Sequence, residues 1–328
     1  MRVCLPLLSA GGFCLLRDFR IALAQQTLWQ TNESTPPWHV AFQDHVRKSL
    51  SRRQRITLNL SLLCRLEIRD FFARRLAGSG IEIGAQYVPT EVAPGVDVEY
   101  VDVLSNDELV SRYKLPADGL VPLAHVVDGH HLTAYVDDAK DFLIANHVLE
   151  HFDDPVGGVI EWLRVIRAGG LLFLTLPNYR SNAFDYKRTP ERAPHFALDY
   201  VDPDNRPQRN RTHYEDMAMS LRDQDRQSAA VQSMVDEWIS RGDRHHYHVY
   251  DEAALKDVLS EAGKASGNDL QLVDAFMPRD GFEILAIVRK LGKGSGRLRW
   301  LPKMVIASRT VEIAAIMAMR QVRAHRAS

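Results

Sequence analysis

The sequence predicts an α/β fold in which helices cover both faces of a doubly wound, mostly parallel sheet. Short apolar runs alternate with polar or helical stretches, and continuous apolar runs are typical of strands that are buried on both faces. The last two runs lie close enough in sequence to pair antiparallel. Seven strands are predicted, at residues 81–84, 98–103, 123–127, 141–146, 171–176, 270–276 and 281–288.

Helical patterns separate these runs. Residues 38–77 carry apolar side chains at helical spacing among Arg and Lys, and the glycines around Ser79 end that segment. Residues 156–166 and 251–263 show the amphipathic pattern of two further helices.

Residues 178–248 interrupt the alternation. They are rich in Asn, Arg, Asp and His, and Pro190, Pro194, Pro203 and Pro207 are spaced through them. We expect an irregular insertion that covers the active-site face of the sheet.

The length of 328 residues favours one domain with extended ends. We assign residues 1–77 to a leader and helical extension, residues 78–290 to the α/β domain, and residues 291–328 to a basic amphipathic tail. The leader resembles a signal peptide, but charges at Arg17 and Arg20 follow its apolar run and favour a leader that is not cleaved.

Composition excludes few classes of function. A formal net charge of −1 gives no general attraction to nucleic acid, so no nucleic-acid partner is expected. Cys4, Cys14 and Cys64 lack the spacing of a zinc site and are expected to be reduced thiols of a cytoplasmic protein. No apolar stretch approaches the roughly 20 residues that span a membrane.

Polar residues at the carboxyl ends of the predicted strands are candidates for ligand binding, because ligands of open parallel sheets bind there. Gly84 follows the first strand, where its lack of a Cβ allows close backbone approach, and Glu82 can accept a hydrogen bond. Asp102 ends the second strand at the spacing from which a carboxylate reaches two ribose hydroxyls. A helix cap is the equally supported alternative for Asp102.

The most specific pattern is residues 141–151, in which a buried strand is followed by Asn146-His147 and Glu150-His151. This segment resembles the one that follows the fourth strand in class I S-adenosylmethionine-dependent methyltransferases of the type 11 group. Residues 81–85, 100–102 and 164–170 resemble further motifs of that group in order and spacing. The resemblance covers residues 78–263 and is greatest to a bacterial subset associated with polysaccharides and glycosyltransferases.

The resemblance implies S-adenosylmethionine as cofactor and methyl transfer, at oxygen, to a small-molecule or glycan-like acceptor. It places Asp102 at the ribose and Asp128 near the adenine amine. Histidines of the motif and of the insertion are candidate proton acceptors for a hydroxyl. The cofactor-binding candidates are Glu82, Gly84, Ala85, Asp102, Asp128, Asn146 and His147, and the catalytic candidates are His147, His195 and His213.

The first loop departs from the pattern of the group, since Gln86 and Val88 stand where further glycines are usual. This departure leaves the alternative of a methyltransferase-like binding or regulatory protein that does not catalyse. A separate alternative, which rests on the basic helix within residues 291–328, is an assembly protein that contacts an anionic membrane. A dehydrogenase is disfavoured, because a dinucleotide pyrophosphate needs the close approach that those glycines permit.

Metal catalysis is a minor alternative. Imidazole is a common zinc ligand, but the sequence lacks the His-Glu-x-x-His order of zinc peptidases. We therefore predict no metal site. The histidines considered are His130, His131, His147, His151, His245, His246 and His248.

Overall fold

The computed structural model describes residues 37–63, 65–113 and 119–300, which fold around one eight-stranded sheet. The leader (1–36), Cys64, residues 114–118 and the basic tail beyond residue 300 lie outside the described residues. The strands are β1 (Ser79–Ile83), β2 (Asp97–Asp102), β3 (Leu123–Val126), β4 (Lys140–Asn146), β5 (Ile166–Pro177), β6 (Asn268–Phe276), β7 (Glu283–Lys293) and β8 (Leu298–Arg299).

The strand order is β3-β2-β1-β4-β5-β7-β6-β8. Strands β1 to β5 are parallel to one another, β7 runs antiparallel between β5 and β6, and β8 is parallel to β6. The predicted doubly wound, mostly parallel sheet is confirmed. The predicted count of seven strands was one too low, because β8 is only two residues long and has no periodicity to detect.

The sheet also extends beyond the predicted domain end at residue 290, since β7 continues to Lys293 and β8 follows it. The helices are α1 (Pro37–Ser49), α2 (Arg52–Leu63), α3 (Arg65–Ala73), α4 (Asn106–Tyr113), α5 (Pro155–Val165), α6 (Ala193–Val201), α7 (Arg206–Arg222), α8 (Ala229–Arg241) and α9 (Glu252–Ser266). None of the helices in the described ranges is long and apolar enough to cross a bilayer.

Both faces of the sheet are covered, as continuous apolar strands require. On one face, α5 and α9 bury Trp162 and Leu255 against strands β4 to β7. On the other face, α3 places Phe72 against Phe142 and Phe173. The rigid core therefore fixes the carboxyl ends of the parallel strands, where a ligand is expected.

The insertion is largely helical, which corrects the prediction of an irregular segment. It forms α6, α7 and α8, and α7 and α8 enclose a small core around Tyr214 and Trp238. Pro194 and Pro207 lie in the first turns of α6 and α7, where the missing N–H of proline costs no hydrogen bond. The prolines therefore mark helix starts instead of breaks.

Candidate active site

Three residues with left-handed backbone stand at the carboxyl edge of β1 and β4. Gly84 has φ +70°, Gln86 has φ +52° and His147 has φ +54°. Strands β1 and β4 are neighbours, and the chain crosses from one half of the sheet to the other between them. This is the topological switch point at which open α/β sheets bind ligands.

The first loop keeps the backbone shape of a glycine loop although it has only one of the usual glycines. Gln86 takes the left-handed conformation, at a cost of about 1 kcal/mol. The Gln86 carbonyl accepts a hydrogen bond from the Val121 N–H at 2.8 Å, and the Val88 N–H donates to the Ala85 carbonyl at 2.9 Å. The loop therefore has a positive φ at Gln86 as well as at Gly84, although the Gln86 side chain adds a Cβ that glycine lacks.

Glu82 holds this loop in place from inside the sheet. Its carboxylate is buried and accepts hydrogen bonds from the Thr90 N–H at 3.0 Å, the Thr90 hydroxyl at 2.8 Å and the Asn146 amide at 3.0 Å. Burial raises the pKa of Glu82, although these hydrogen bonds oppose the rise. Asn146 in turn accepts from the Thr175 hydroxyl at 3.0 Å. Glu82 and Asn146 thus connect β1, β4, β5 and the loop to one another.

The two predicted aspartates lie at the carboxyl ends of β2 and β3, Asp102 as the last residue of β2 and Asp128 two residues after β3. Asp102 is largely buried and accepts a hydrogen bond from the Leu104 N–H at 3.2 Å, and burial raises its pKa. Asp128 accepts from the His130 N–H at 2.9 Å and forms an ion pair with Arg244 at 2.7 Å. Arg244 belongs to the segment after α8, so this ion pair fastens the insertion to the edge of the sheet.

His147 is oriented by a buried ion pair. Its Nε2 lies 3.0 Å from Glu283, whose carboxylate also accepts two hydrogen bonds from the Arg69 guanidinium, at 2.6 and 3.2 Å. Burial alone would raise the pKa of Glu283, but Arg69 and His147 hold it at about 2. Because the carboxylate can only accept, Nε2 carries a proton. The other ring nitrogen, Nδ1, faces the buried Glu150 carboxylate at 3.7 Å.

Sequence reasoning did not find Glu283 or Arg69. They lie 214 residues apart in the chain, and neither belongs to a recognisable motif. Only the antiparallel course of β7, which begins at Glu283, brings that carboxylate to the edge where the parallel strands end.

His195 and His213 were predicted as catalytic residues together with His147. The structure brings them to each other, with their Nε2 atoms 3.1 Å apart, and both lie in the insertion. Burial lowers the pKa of His213 to about 4, so its imidazole is neutral near pH 7. Their neighbours are Asp199 and His248, whereas the hydrogen bond of His147 goes to Glu283.

A cavity of about 360 Å³ lies between the insertion and the loops that follow β3 and β4. Tyr214 and Tyr247 line it, and their hydroxyl oxygens are 2.6 Å apart. The other lining residues are His130, His151, Asp153, Pro207, Asn210, Arg211, Ile239, Gly242, Asp243 and Arg244. Most of these side chains are polar, so the cavity is suited to a ligand with several hydrogen-bonding groups.

Comparison with protein families gives one match. Residues 77–174 match the model of a methyltransferase domain. The matched residues include β1 to β4 and most of β5, and with them the left-handed loop, Asp102 and His147. The match implies S-adenosylmethionine as the cofactor and supports S-adenosylmethionine-dependent methyl transfer. A search of curated proteins finds no match.

Solved structures with a similar arrangement include three methyltransferases. The CurJ carbon methyltransferase is 12% identical, with a TM-score of 0.41, over 86% of this chain and 70% of that one. A Thermotoga maritima protein described as a possible histamine N-methyltransferase is 14% identical, with a TM-score of 0.37, over 78% and 100%. The mitomycin 7-O-methyltransferase MmcR is 13% identical, with a TM-score of 0.37, over 83% and 72%.

The conformation of Gln86 gives a test of the loop. We expect Gln86→Gly to bind S-adenosylmethionine as tightly as the wild type, because glycine adopts a positive φ without strain. We expect Gln86→Val to bind about tenfold more weakly, because a β-branched residue resists that conformation. Isothermal titration of both variants measures the difference. Equal affinities of the valine and glycine variants would show that the left-handed loop is not part of the site.

Proposed function

We propose that this protein transfers the methyl group of S-adenosylmethionine to an oxygen of a hydroxylated small-molecule or glycan-like acceptor. The observation that carries the proposal is the left-handed loop at the switch point, which lies inside the segment that matches a methyltransferase domain. The absence of a glycine at Gln86 favours, on sequence alone, a protein that binds cofactor poorly. The positive φ that Gln86 nevertheless adopts argues against that alternative.

The residues divide into those that shape the cofactor site and those that contact it. We assign the backbone of Gly84 and Ala85 to the methionine part, Asp102 to the ribose hydroxyls and Asp128 to the adenine amine. Glu82 and Asn146 support the site without contacting the cofactor, because their polar atoms are hydrogen-bonded to Thr90 and Thr175. When bound, S-adenosylmethionine supplies an electrophilic methyl group on a sulfonium.

His147 is the group that we assign as general base. The Glu283 carboxylate holds a proton on Nε2, so in the neutral ring Nδ1 is the nitrogen that takes the proton of an acceptor hydroxyl. The Glu150 carboxylate, 3.7 Å from Nδ1, would stabilise the imidazolium that forms. Glu283 also stabilises the positive charge that the imidazole gains, and Arg69 keeps this buried carboxylate ionised. The same logic orients histidine bases in other enzymes that carry a carboxylate partner.

We assign the acceptor to the polar cavity under the insertion, whose wall includes His151 but not His147. An acceptor bound there extends beyond the cavity to reach the proposed base. Asn210 and Tyr247 offer hydrogen-bonding groups on its wall, and Arg244 and Asp153 add charges of both signs. A hydroxylated ligand can satisfy such groups, whereas a hydrophobic acceptor would leave them without partners. This chemistry supports a sugar or a similar polyol over a flat apolar acceptor.

A cytoplasmic location and a contact between residues 291–328 and an anionic membrane stay predictions. Most of that tail lies outside the described residues.

The decisive experiment is isothermal titration of the purified protein with S-adenosylmethionine and, separately, S-adenosylhomocysteine. We expect micromolar affinity for both, and a loss of at least about tenfold in Asp102→Ala, because a carboxylate that accepts from a diol makes two charge-assisted hydrogen bonds. Asp97→Ala is the matched control, since Asp97 lies at the other, exposed end of the same strand.

Two outcomes would contradict the proposal. Absence of binding by the folded wild type would leave a methyltransferase-like fold without cofactor. Cofactor binding without release of S-adenosylhomocysteine from any hydroxylated acceptor in a broad screen would favour the binding or regulatory alternative.

A further inference from the structure

Three histidines and one aspartate converge inside the insertion. His195 and Asp199 lie on α6, His213 lies on α7, and His248 follows α8. The Asp199 Oδ2 is 3.0 Å from the His248 Nε2 and 3.2 Å from the His195 Nε2, and the Nε2 atoms of His195 and His213 are 3.1 Å apart. All four candidate ligand atoms lie within 4.8 Å of one another.

These separations are close to those of a metal site. In a tetrahedron with bonds of about 2.0–2.1 Å, which is usual for zinc with nitrogen and oxygen ligands, the ligand atoms stand about 3.3 Å apart. Three pairs in the cluster already have distances of 3.0–3.2 Å. Small side-chain movements would complete the tetrahedron.

Two of the three histidines have an acceptor beside the ring nitrogen that points away from the centre. The His248 Nδ1 donates to the Phe152 carbonyl at 3.1 Å, so the Nε2 of the neutral ring carries a lone pair. The His213 Nδ1 lies 3.5 Å from the Glu191 carboxylate, within reach of a hydrogen bond after a small shift. Carbonyl and carboxylate groups in these positions usually orient histidines that bind a metal.

The Asp199 carboxylate is divided between two roles. Its Oδ1 accepts a hydrogen bond from the Arg209 guanidinium at 2.6 Å, whereas Oδ2 faces the imidazoles of His195 and His248. The guanidinium therefore orients the carboxylate and leaves one oxygen for the centre.

We propose that His195, Asp199, His213 and His248 bind one Zn²⁺ ion that holds the insertion together. Three imidazoles and one carboxylate suit zinc, which binds nitrogen as well as oxygen ligands. Calcium and magnesium prefer oxygen ligands alone. Four protein ligands leave no open position, so the role is structural. The side chains of Asp199, His213 and His248 are buried, while that of His195 is 31% exposed and provides the entry path.

The sequence predicted no metal site. Of the histidines weighed there as ligands, only His248 takes part. The ligands come from two helices and one loop, with spacing that matches no zinc motif. The proposal does not depend on the proposed methyl transfer.

The test uses the full-length, tag-free protein. After removal of metal with a chelator, we expect it to bind about one equivalent of added Zn²⁺, measured by elemental analysis after gel filtration. Added Co²⁺ should give the intense visible absorption of a tetrahedral ion. The midpoint of thermal unfolding should rise with Zn²⁺, because the ion binds only the folded chain.

His195→Ala and His248→Ala should each lose the bound Zn²⁺ and the Co²⁺ spectrum. His195 is partly exposed, so its variant is expected to fold, which far-ultraviolet circular dichroism checks. His245→Ala is the matched control, because His245 packs on Trp238 outside the cluster and should keep the ion.

Failure of the folded wild type to retain Zn²⁺ would overturn the proposal and leave a hydrogen-bonded histidine network. Equal retention by wild type and His195→Ala would also overturn it. Titration with S-adenosylmethionine, run in parallel, reports on the proposed function separately.

Discussion

Replacing Arg69 by Met is expected to lower the free energy of unfolding by about 3–5 kcal/mol, because it leaves a buried carboxylate without its cation. Glu283 is fully buried, and Arg69 donates two hydrogen bonds to it. His147 also contacts that carboxylate and is partly exposed. Urea unfolding at neutral pH measures the loss.

Two variants make the first prediction specific. Arg74→Met removes an exposed guanidinium from the turn after α3 and should cost less than about 1 kcal/mol. Arg69→Met combined with Glu283→Gln removes both charges and should recover part of the loss. If Arg69→Met costs no more than Arg74→Met, the pair does not stabilise the fold.

The same pair predicts how stability depends on pH. Glu283 has a pKa of about 2 when folded, below its ordinary value of 4.5. Its contribution is therefore fully present above about pH 4.5 and is lost as the pH falls towards 2, by about 3 kcal/mol in total. Unfolding measured at several pH values in this range should show a smaller decrease in Glu283→Gln than in the wild type.

Gly80→Ala is expected to cost about 3 kcal/mol, near the upper end of overpacking penalties. A Cβ at Gly80 would overlap the ring of Phe142, which is fully buried between β4 and α3. The ring cannot move aside without displacing Phe72 or Phe173. The variant would therefore push apart the two strands on which the site is built.

Gly84→Ala is the control for this prediction, since it lies one residue beyond the same strand. A Cβ there would meet only Val148, at 3.7 Å, so the cost is the strain at φ +70°, about 1 kcal/mol. Thermal and urea unfolding of both variants give the comparison. A smaller loss of unfolding free energy for Gly80→Ala than for Gly84→Ala would contradict the prediction. It would mean that the Phe142 ring moves aside at little cost.

The sequence predicted those elements whose signal is local. Strands β1, β2, β4 and β5 are apolar runs with nearby turn residues, and α5 shows a clear helical period. The insertion helices were missed because Pro194 and Pro207 look like breaks when only composition is considered. A proline that begins a helix can be distinguished from one that breaks a helix only when the start of the helix is known.

Parts of the candidate site were beyond sequence reasoning for physical reasons. The orientation of His147 depends on Glu283, which is 136 residues away. Gln86 stands where glycine is usual, which predicted a loop of different shape, but surrounding contacts hold the backbone in the strained conformation. Such strain is decided by tertiary structure and leaves no trace in the local sequence.

The insertion leaves and re-enters the sheet at one place, where Asn178 and Tyr250 form an isolated bridge and the Tyr179 N–H donates to the Tyr250 carbonyl. Its ends are thus joined independently of what lies between them, and lengthening such a segment adds little closure entropy. A change in the length of the segment between these two residues would therefore leave the end of β5 in its present position.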